Sequence, residues 1–213
     1  MDFLRRKYTL GEELFNAITH GIGALLAVAG CVVLVVLCQL QGDSLAVVSS
    51  ALYGATLIIL YTMSTLYHAI SNEKAKNVLR VFDHVTIYLL IAGTYTPYTL
   101  ACLGGALGWT LFGVVWGAAI VGIVFSSISL SRFRKLSMIC YLAMGWVVLV
   151  AIKPLWQVIG TLSMVFLVIG GVLYTGGVLF YQMKESHYMH SIWHLFVLGG
   201  SIFHYFSILL AMT

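Results

Sequence analysis

Residues 190–205 read HSIWHLFVLGGSIFHY. The stretch is apolar for almost the length that a helix needs to cross a bilayer, about 20 residues. It nevertheless carries His190, His194 and His204. Imidazole is costly in hydrocarbon, so an ionisable side chain in a membrane helix is a functional candidate by default. The reading of this run turns on whether the whole chain lives in a membrane, and on what could repay that cost.

The composition answers the first point. The 213-residue chain is 61% hydrophobic and only 8% charged, where soluble domains are roughly 25% charged. Such a sequence cannot cover a water-soluble surface, which makes the fold class an all-α polytopic membrane protein. The longest polar stretch in mid-chain, SNEKAKN (71–77), is only a loop and leaves no room for a second, soluble domain. The net charge of +4 is spread over short loops, a pattern that sets membrane orientation and does not suit nucleic-acid binding. The start, MDFLRRKYTLGEELFNAITHGIG, has the basic-then-apolar order of a signal peptide. Glu12 and Glu13 interrupt it and the apolar run that follows is long, so a retained first helix is expected. Cys31, Cys38, Cys102 and Cys140 form no CxxC pair and read as core or lipid-facing residues.

Seven segments are long and apolar enough to span: approximately 16–40, 45–70, 80–102, 107–130, 136–153, 157–182 and 188–212. They lack the period-two alternation of a barrel. Arg5, Arg6, Lys7, Lys74, Lys76, Arg80, Arg132, Arg134, Lys135 and Lys184 all fall on one side of such a seven-helix bundle, and Lys153 alone on the other. The positive-inside rule then puts the N-terminus in the cytoplasm and the C-terminus outside. Pro97 is expected to kink the third helix near its outer end. Gly113 and Gly117 make a GxxxG, a candidate close-packing face.

With that orientation, depth can be read from the sequence. His68 lies six residues before Lys74, Asp83 three after Arg80, and His190 six after Lys184. Three helices thus bring His68, Asp83, His190 and His194 to one depth, just inside the cytoplasmic leaflet. His190 and His194 are i,i+4 and share a helix face, as do Ser64 and His68. Two imidazoles at that spacing plus a third from another helix are the ligand set of a catalytic zinc site, which keeps its fourth position for water. Asp83 suits a group that orients such a water and accepts its proton. Ser64 could bond that water or a substrate carbonyl. His204 is ten residues beyond His194, about 15 Å at 1.5 Å per residue, too far to share the ion and suited to a contact inside the bundle. His187 ranks lower as a ligand because it sits at the interface beside Lys184 and Glu185. His84 points about 100° away from Asp83. Glu13, Asn16 and His20, at i, i+3 and i+7, share one face of the first helix and read as a hydrogen-bonded brace.

These residues carry a family likeness. ELFNAITH (13–20) matches E-x2-N-x3-H, STLYH (64–68) followed by Asp83 matches S-x3-H…D, and HSIWH (190–194) matches H-x3-H. The ordered set resembles the haemolysin III branch of the progestin and adipoQ receptor superfamily, which includes adiponectin receptors. The resemblance implies seven helices with a cytoplasmic N-terminus and Zn²⁺ held by His68, His190 and His194. It also implies Asp83 near a metal-bound water and Ser64 beside it. Relatives in the superfamily look like lipid amidohydrolases of ceramidase type. The leading expectation is therefore a zinc-dependent hydrolase of a membrane lipid amide or ester, embedded in a bacterial cytoplasmic membrane, with Asp83 and Ser64 as catalytic residues. A haemolysin-type pore or membrane-damaging protein and a non-catalytic sensor of membrane lipid state stay open beside it.

Overall fold

The computed structural model describes residues 8–183 and 186–213. Arg5, Arg6, Lys7, Lys184 and Glu185, used above for orientation and ranking, lie outside the described residues. The described chain is helical throughout: α1 (Leu10–Gln41), α2 (Ser44–Ala69), α3 (Glu73–Thr96), a π-helical turn (Pro97–Leu103), α4 (Gly105–Ile128), α5 (Leu130–Gly145), a 3-10 turn (Val147–Ala151), α6 (Ile152–Gln182) and α7 (Met189–Met212).

Six segments are long and apolar enough to cross a membrane, so the protein is a multi-pass membrane protein. The fifth of them runs continuously from Leu130 to Gln182, because no loop separates the expected spans 136–153 and 157–182. The helix is instead broken twice from within, by the 3-10 turn and at Gly160, whose φ of 76° and ψ of 171° are not helical. An L side chain rarely adopts that φ, which is why glycine stands there. Trp146 Nε1 donates to Thr175 Oγ1 at 3.1 Å. Gln182 Nε2 lies 3.9 Å from Met138 Sδ. Partner numbers fall on one arm as they rise on the other, so α5 and the second half of α6 run in opposite directions.

Helix starts differ most from the hydropathy reading, for a local reason. Thr9 caps α1 in a capping box with Glu12, so the helix begins at Leu10 and not near residue 16. Asn72 accepts from Ala75 N and starts α3 at Glu73, ahead of the expected residue 80. Both caps extend helices out of the apolar region and carry polar residues with them. Gly42, in the left-handed region at φ 76°, ends α1. Pro97 falls within a helical run that continues from Glu73 to Leu103. It begins a π-helical turn, where the wider winding absorbs its missing N–H.

Inside the bundle, hydroxyls join helices. Ser163 Oγ donates to Ser207 O at 2.8 Å and Ser207 Oγ to Ser163 O at 2.6 Å, locking α6 to α7. Tyr98 OH donates to Ser207 Oγ at 2.7 Å. Tyr61 OH donates to Ser201 Oγ at 2.7 Å, and Tyr174 OH lies 2.6 Å from the same oxygen. His204 Nε2 lies 3.1 Å from Leu167 O, the contact inside the bundle expected of it. Its ring packs against Gly170, where a Cβ would collide with it. Gly113 and Gly117 are different: a Cβ at either meets nothing among the described residues, so that GxxxG packs no helix within the described chain. The cysteines are free.

Gly170→Ala should therefore force α6 and α7 apart and lower stability by about 1–3 kcal/mol, the usual range for overpacking. Gly113→Ala should leave stability unchanged or raise it by up to about 1 kcal/mol through helix propensity. Thermal unfolding of the two variants in detergent micelles checks both.

Candidate metal centre

Four helices meet near the start of α7. Helix α2 contributes Ser64 and His68, α3 contributes Asp83, and α7 contributes His190 and His194. Helix α1 lays Glu13, Asn16 and His20 against them. All three expected ligands, His68, His190 and His194, are buried. Each offers a ring nitrogen, and the three nitrogens lie within 4.8 Å of one another. The Nε2 atoms of His190 and His194 are 3.2 Å apart. Two nitrogens bonded tetrahedrally to one zinc at 2.0–2.1 Å would stand about 3.3 Å apart. The i,i+4 spacing on α7 therefore delivers close to the separation that a shared ion needs. His68 approaches from α2, its ring centre 5.3 Å from that of His190 and 5.0 Å from that of His194.

The donor chemistry fits as well as the spacing. His68 Nδ1 lies 2.6 Å from Glu13 Oε2, while its Nε2 is buried with no hydrogen-bond partner among the described residues. A buried acceptor or donor left unanswered costs about 1–3 kcal/mol, and a cation beside an unprotonated Nε2 removes that cost. The three-histidine group can thus hold a metal ion.

Asp83 and Ser64 are both buried. Together with His20 and His190 they line a cavity of about 980 Å³. Its wall mixes polar residues, among them Arg80, Asp83, Arg134 and His190, with apolar side chains such as Leu142, Leu149, Met164 and Val168. Ser64 Oγ has no hydrogen-bond partner among the described residues. His84, expected to point away from Asp83, lines the same cavity, its Nδ1 3.7 Å from Asp83 Oδ2 and 2.9 Å from the Arg80 carbonyl of its own helix. His187 is not part of the cluster: its side chain is 73% exposed and lies 3.8 Å from Glu12.

The brace expected on α1 is only partly a hydrogen-bonded one. Glu13 is fully engaged, accepting from Lys76 Nζ at 2.6 Å in addition to its contact with His68. Asn16 and His20 are buried, yet their side-chain polar atoms have no hydrogen-bond partner among the described residues. His20 instead stacks face to face on His194, ring centres 3.6 Å apart and planes 15° apart.

Sequence reasoning missed two residues. Lys76 counted only as a loop charge, but the Asn72 cap places it in the first turn of α3, buried beside Glu13. A capping pattern of Asn followed by a helix was the signal that could have found it. Tyr8 gave no signal. Its ring stacks on His190 at 4.9 Å and 27°. Burial pushes its phenol well above the ordinary range, so it stays protonated. A second cavity of about 380 Å³ is lined by Glu13, His68 and Lys76 together with Leu10, Leu14 and Ile70. Tyr8 borders both cavities.

The chain is similar to known proteins over nearly all of its length. The haemolysin-III-related family matches residues 8–205. The chain is 45% identical over 198 residues to Hemolysin-3 of Bacillus cereus, covering 93% of this chain and 90% of that protein. It is 44% identical over 202 residues to the Hemolysin-3 homolog of Bacillus subtilis (strain 168), covering 95% of each. It is 27% identical over 210 residues to the human monocyte to macrophage differentiation factor, covering 96% of this chain and 86% of that one. With a match that spans nearly every helix and includes Ser64, His68, Asp83, His190 and His194, the chain belongs to the haemolysin III family of the progestin and adipoQ receptor superfamily.

Proposed function

We propose that the protein is a zinc-dependent hydrolase of a membrane lipid, acting on an amide or ester bond at the cytoplasmic leaflet. One observation carries the reading: His68, His190 and His194 converge, and His190 lines a large cavity whose wall also presents a buried carboxylate, Asp83, and a buried hydroxyl, Ser64, without a hydrogen-bond partner among the described residues. A structural zinc is normally closed by four protein ligands. Three are at hand here, which favours a site with a position left for water or substrate.

Zinc held by the three histidines would supply Lewis acidity, lowering the pKa of a water toward about 7 and polarising a carbonyl. Asp83 orients the attacking water and takes its proton. Ser64 donates a hydrogen bond to the carbonyl oxygen of the substrate, where charge develops as the bond is attacked. The apolar wall of the cavity receives the lipid chains and keeps bulk water away from the carbonyl. Relative to the membrane, the reading places seven crossings with the N-terminus in the cytoplasm and the C-terminus outside, in a bacterial cytoplasmic membrane. The opposite directions of α5 and the second half of α6 support counting Leu130–Gln182 as two crossings. The grouping of basic residues supports the orientation.

A second reading, a membrane-damaging protein, rests on the name of the Bacillus cereus relative, Hemolysin-3. Release of a dye from liposomes that persists after zinc is chelated would favour it.

Purified protein should contain one zinc per chain by elemental analysis, and His190→Ala/His194→Ala should contain none. Wild type free of metal after zinc loading would overturn the reading. Asp83→Ala should keep its metal but lose turnover of a susceptible lipid amide or ester by about 10²–10⁴-fold, the usual worth of a general base. Unchanged turnover in that variant would remove Asp83 from the mechanism.

A further inference from the structure

The carboxylate of Glu13 is shared between two neighbours on two different helices. Oε2 meets His68 Nδ1 on α2 at 2.6 Å, and Oε1 accepts from Lys76 Nζ on α3 at 2.6 Å. Lys76 is itself buried and reaches the carbonyl of Ile70, beyond the end of α2, at 3.4 Å. Adjacent Glu12 works in the other direction. Its Oε1 accepts from Tyr188 N at 2.8 Å, in the turn that leads into α7, and its Oε2 accepts from Thr9 N and Thr9 Oγ1. The first turn of α1 is therefore tied on one side to the helix that carries His68 and on the other to the start of the helix that carries His190 and His194. Helix α1 supplies none of the three histidines, yet it is fastened to both helices that do.

We propose that Glu13 is a positioning residue of the candidate metal centre, resting on the metal reading above: its carboxylate fixes the ring orientation and tautomer of His68, and Lys76 fixes the carboxylate. An imidazole has one donor and one acceptor nitrogen when neutral. A carboxylate at Nδ1 can be answered only by N–H there, so the proton resides on Nδ1 and the lone pair on Nε2. That nitrogen, on the side of the ring away from Glu13, is buried with no hydrogen-bond partner among the described residues. A ligand ring that can neither flip nor change tautomer loses less freedom when it takes up an ion. The carboxylate also makes Nε2 a better donor to the metal. Lys76 has a separate part. It balances the charge of Glu13 and joins α3 to the clamp, so it serves the fold more than the affinity.

Three variants separate these parts: Glu13→Gln, Glu13→Ala and Lys76→Met. Each is compared with wild type in two measurements, the zinc dissociation constant by chelator competition and the melting temperature of the metal-free protein. Glu13→Gln keeps the shape and a weaker acceptor for His68. It is expected to bind zinc about 10-fold more weakly, and Glu13→Ala up to about 100-fold more weakly, the range typical of a lost outer partner. Metal-free Glu13→Gln should melt near wild type. Lys76→Met should melt lower while binding zinc within about 3-fold of wild type. If Glu13→Gln binds as tightly as wild type, or if affinity and melting fall together in every variant, Glu13 is a brace and the proposal is overturned. Wild type that takes up no zinc at all would overturn the metal reading itself, a different outcome from wild-type affinity in Glu13→Gln.

Discussion

Within hydrocarbon there is no water to answer a polar group, so each one must be answered by the protein or by what the protein holds. The bond between Glu13 and His68 is where this constraint bears hardest on the structure. It sets a carboxylate against an imidazole, needs a lysine to balance it, and draws three helices to one point. The ring it orients is the one ligand that comes from outside α7. Without it, His190 and His194 would remain a pair on one helix face, and a pair does not make a three-ligand site.

The same rule shapes the half of the bundle away from the His cluster, with a different result. There the polar groups are serines and tyrosines, and they close on one another. Ser163 and Ser207 exchange bonds with each other's main chain, and Tyr98 joins them. Tyr61 and Tyr174 meet on Ser201. These knots make α2, α6, α7 and the π-helical turn a firm frame. Toward the His cluster the knots stop. Asn16, His20 and Ser64 have buried polar atoms with no protein partner among the described residues. Buried polar atoms without a partner among the described residues thus gather toward the cluster, with Tyr53 OH and His204 Nδ1 as exceptions farther away, as expected when local consistency gives way at a functional site.

Much of this was legible in the sequence because hydropathy and helical spacing are local properties. The i,i+4 pair on α7, the common depth of His68, Asp83 and His190, and the exclusion of His204 by distance all follow from a rise of about 1.5 Å per residue. What could not be read required rotation of one helix against another. Nothing in the spacing says that Lys76 folds inward or that Tyr8 covers His190, because both depend on how the ends of α1 and α3 pack. The start of α1 was misjudged since hydropathy measures fit to lipid, whereas Thr9 and Glu12 start the helix by hydrogen bonding. The stretch Leu130–Gln182 was expected as two helices with a loop between. Its turn is instead made by a 3-10 segment and one glycine φ angle, neither of which alters hydropathy.

Tyr8 borders two cavities that each mix polar and apolar side chains. The larger sets Asp83 among groups such as Leu142 and Val168, and the smaller sets Glu13, Glu73 and Lys76 among Leu10, Leu14 and Ile70. A reaction between a lipid and water, as proposed above, has the difficulty that its reactants prefer different phases. One candidate ligand lines each cavity, His190 the larger and His68 the smaller, so on that reading the two reactants would have separate approaches to the same cluster.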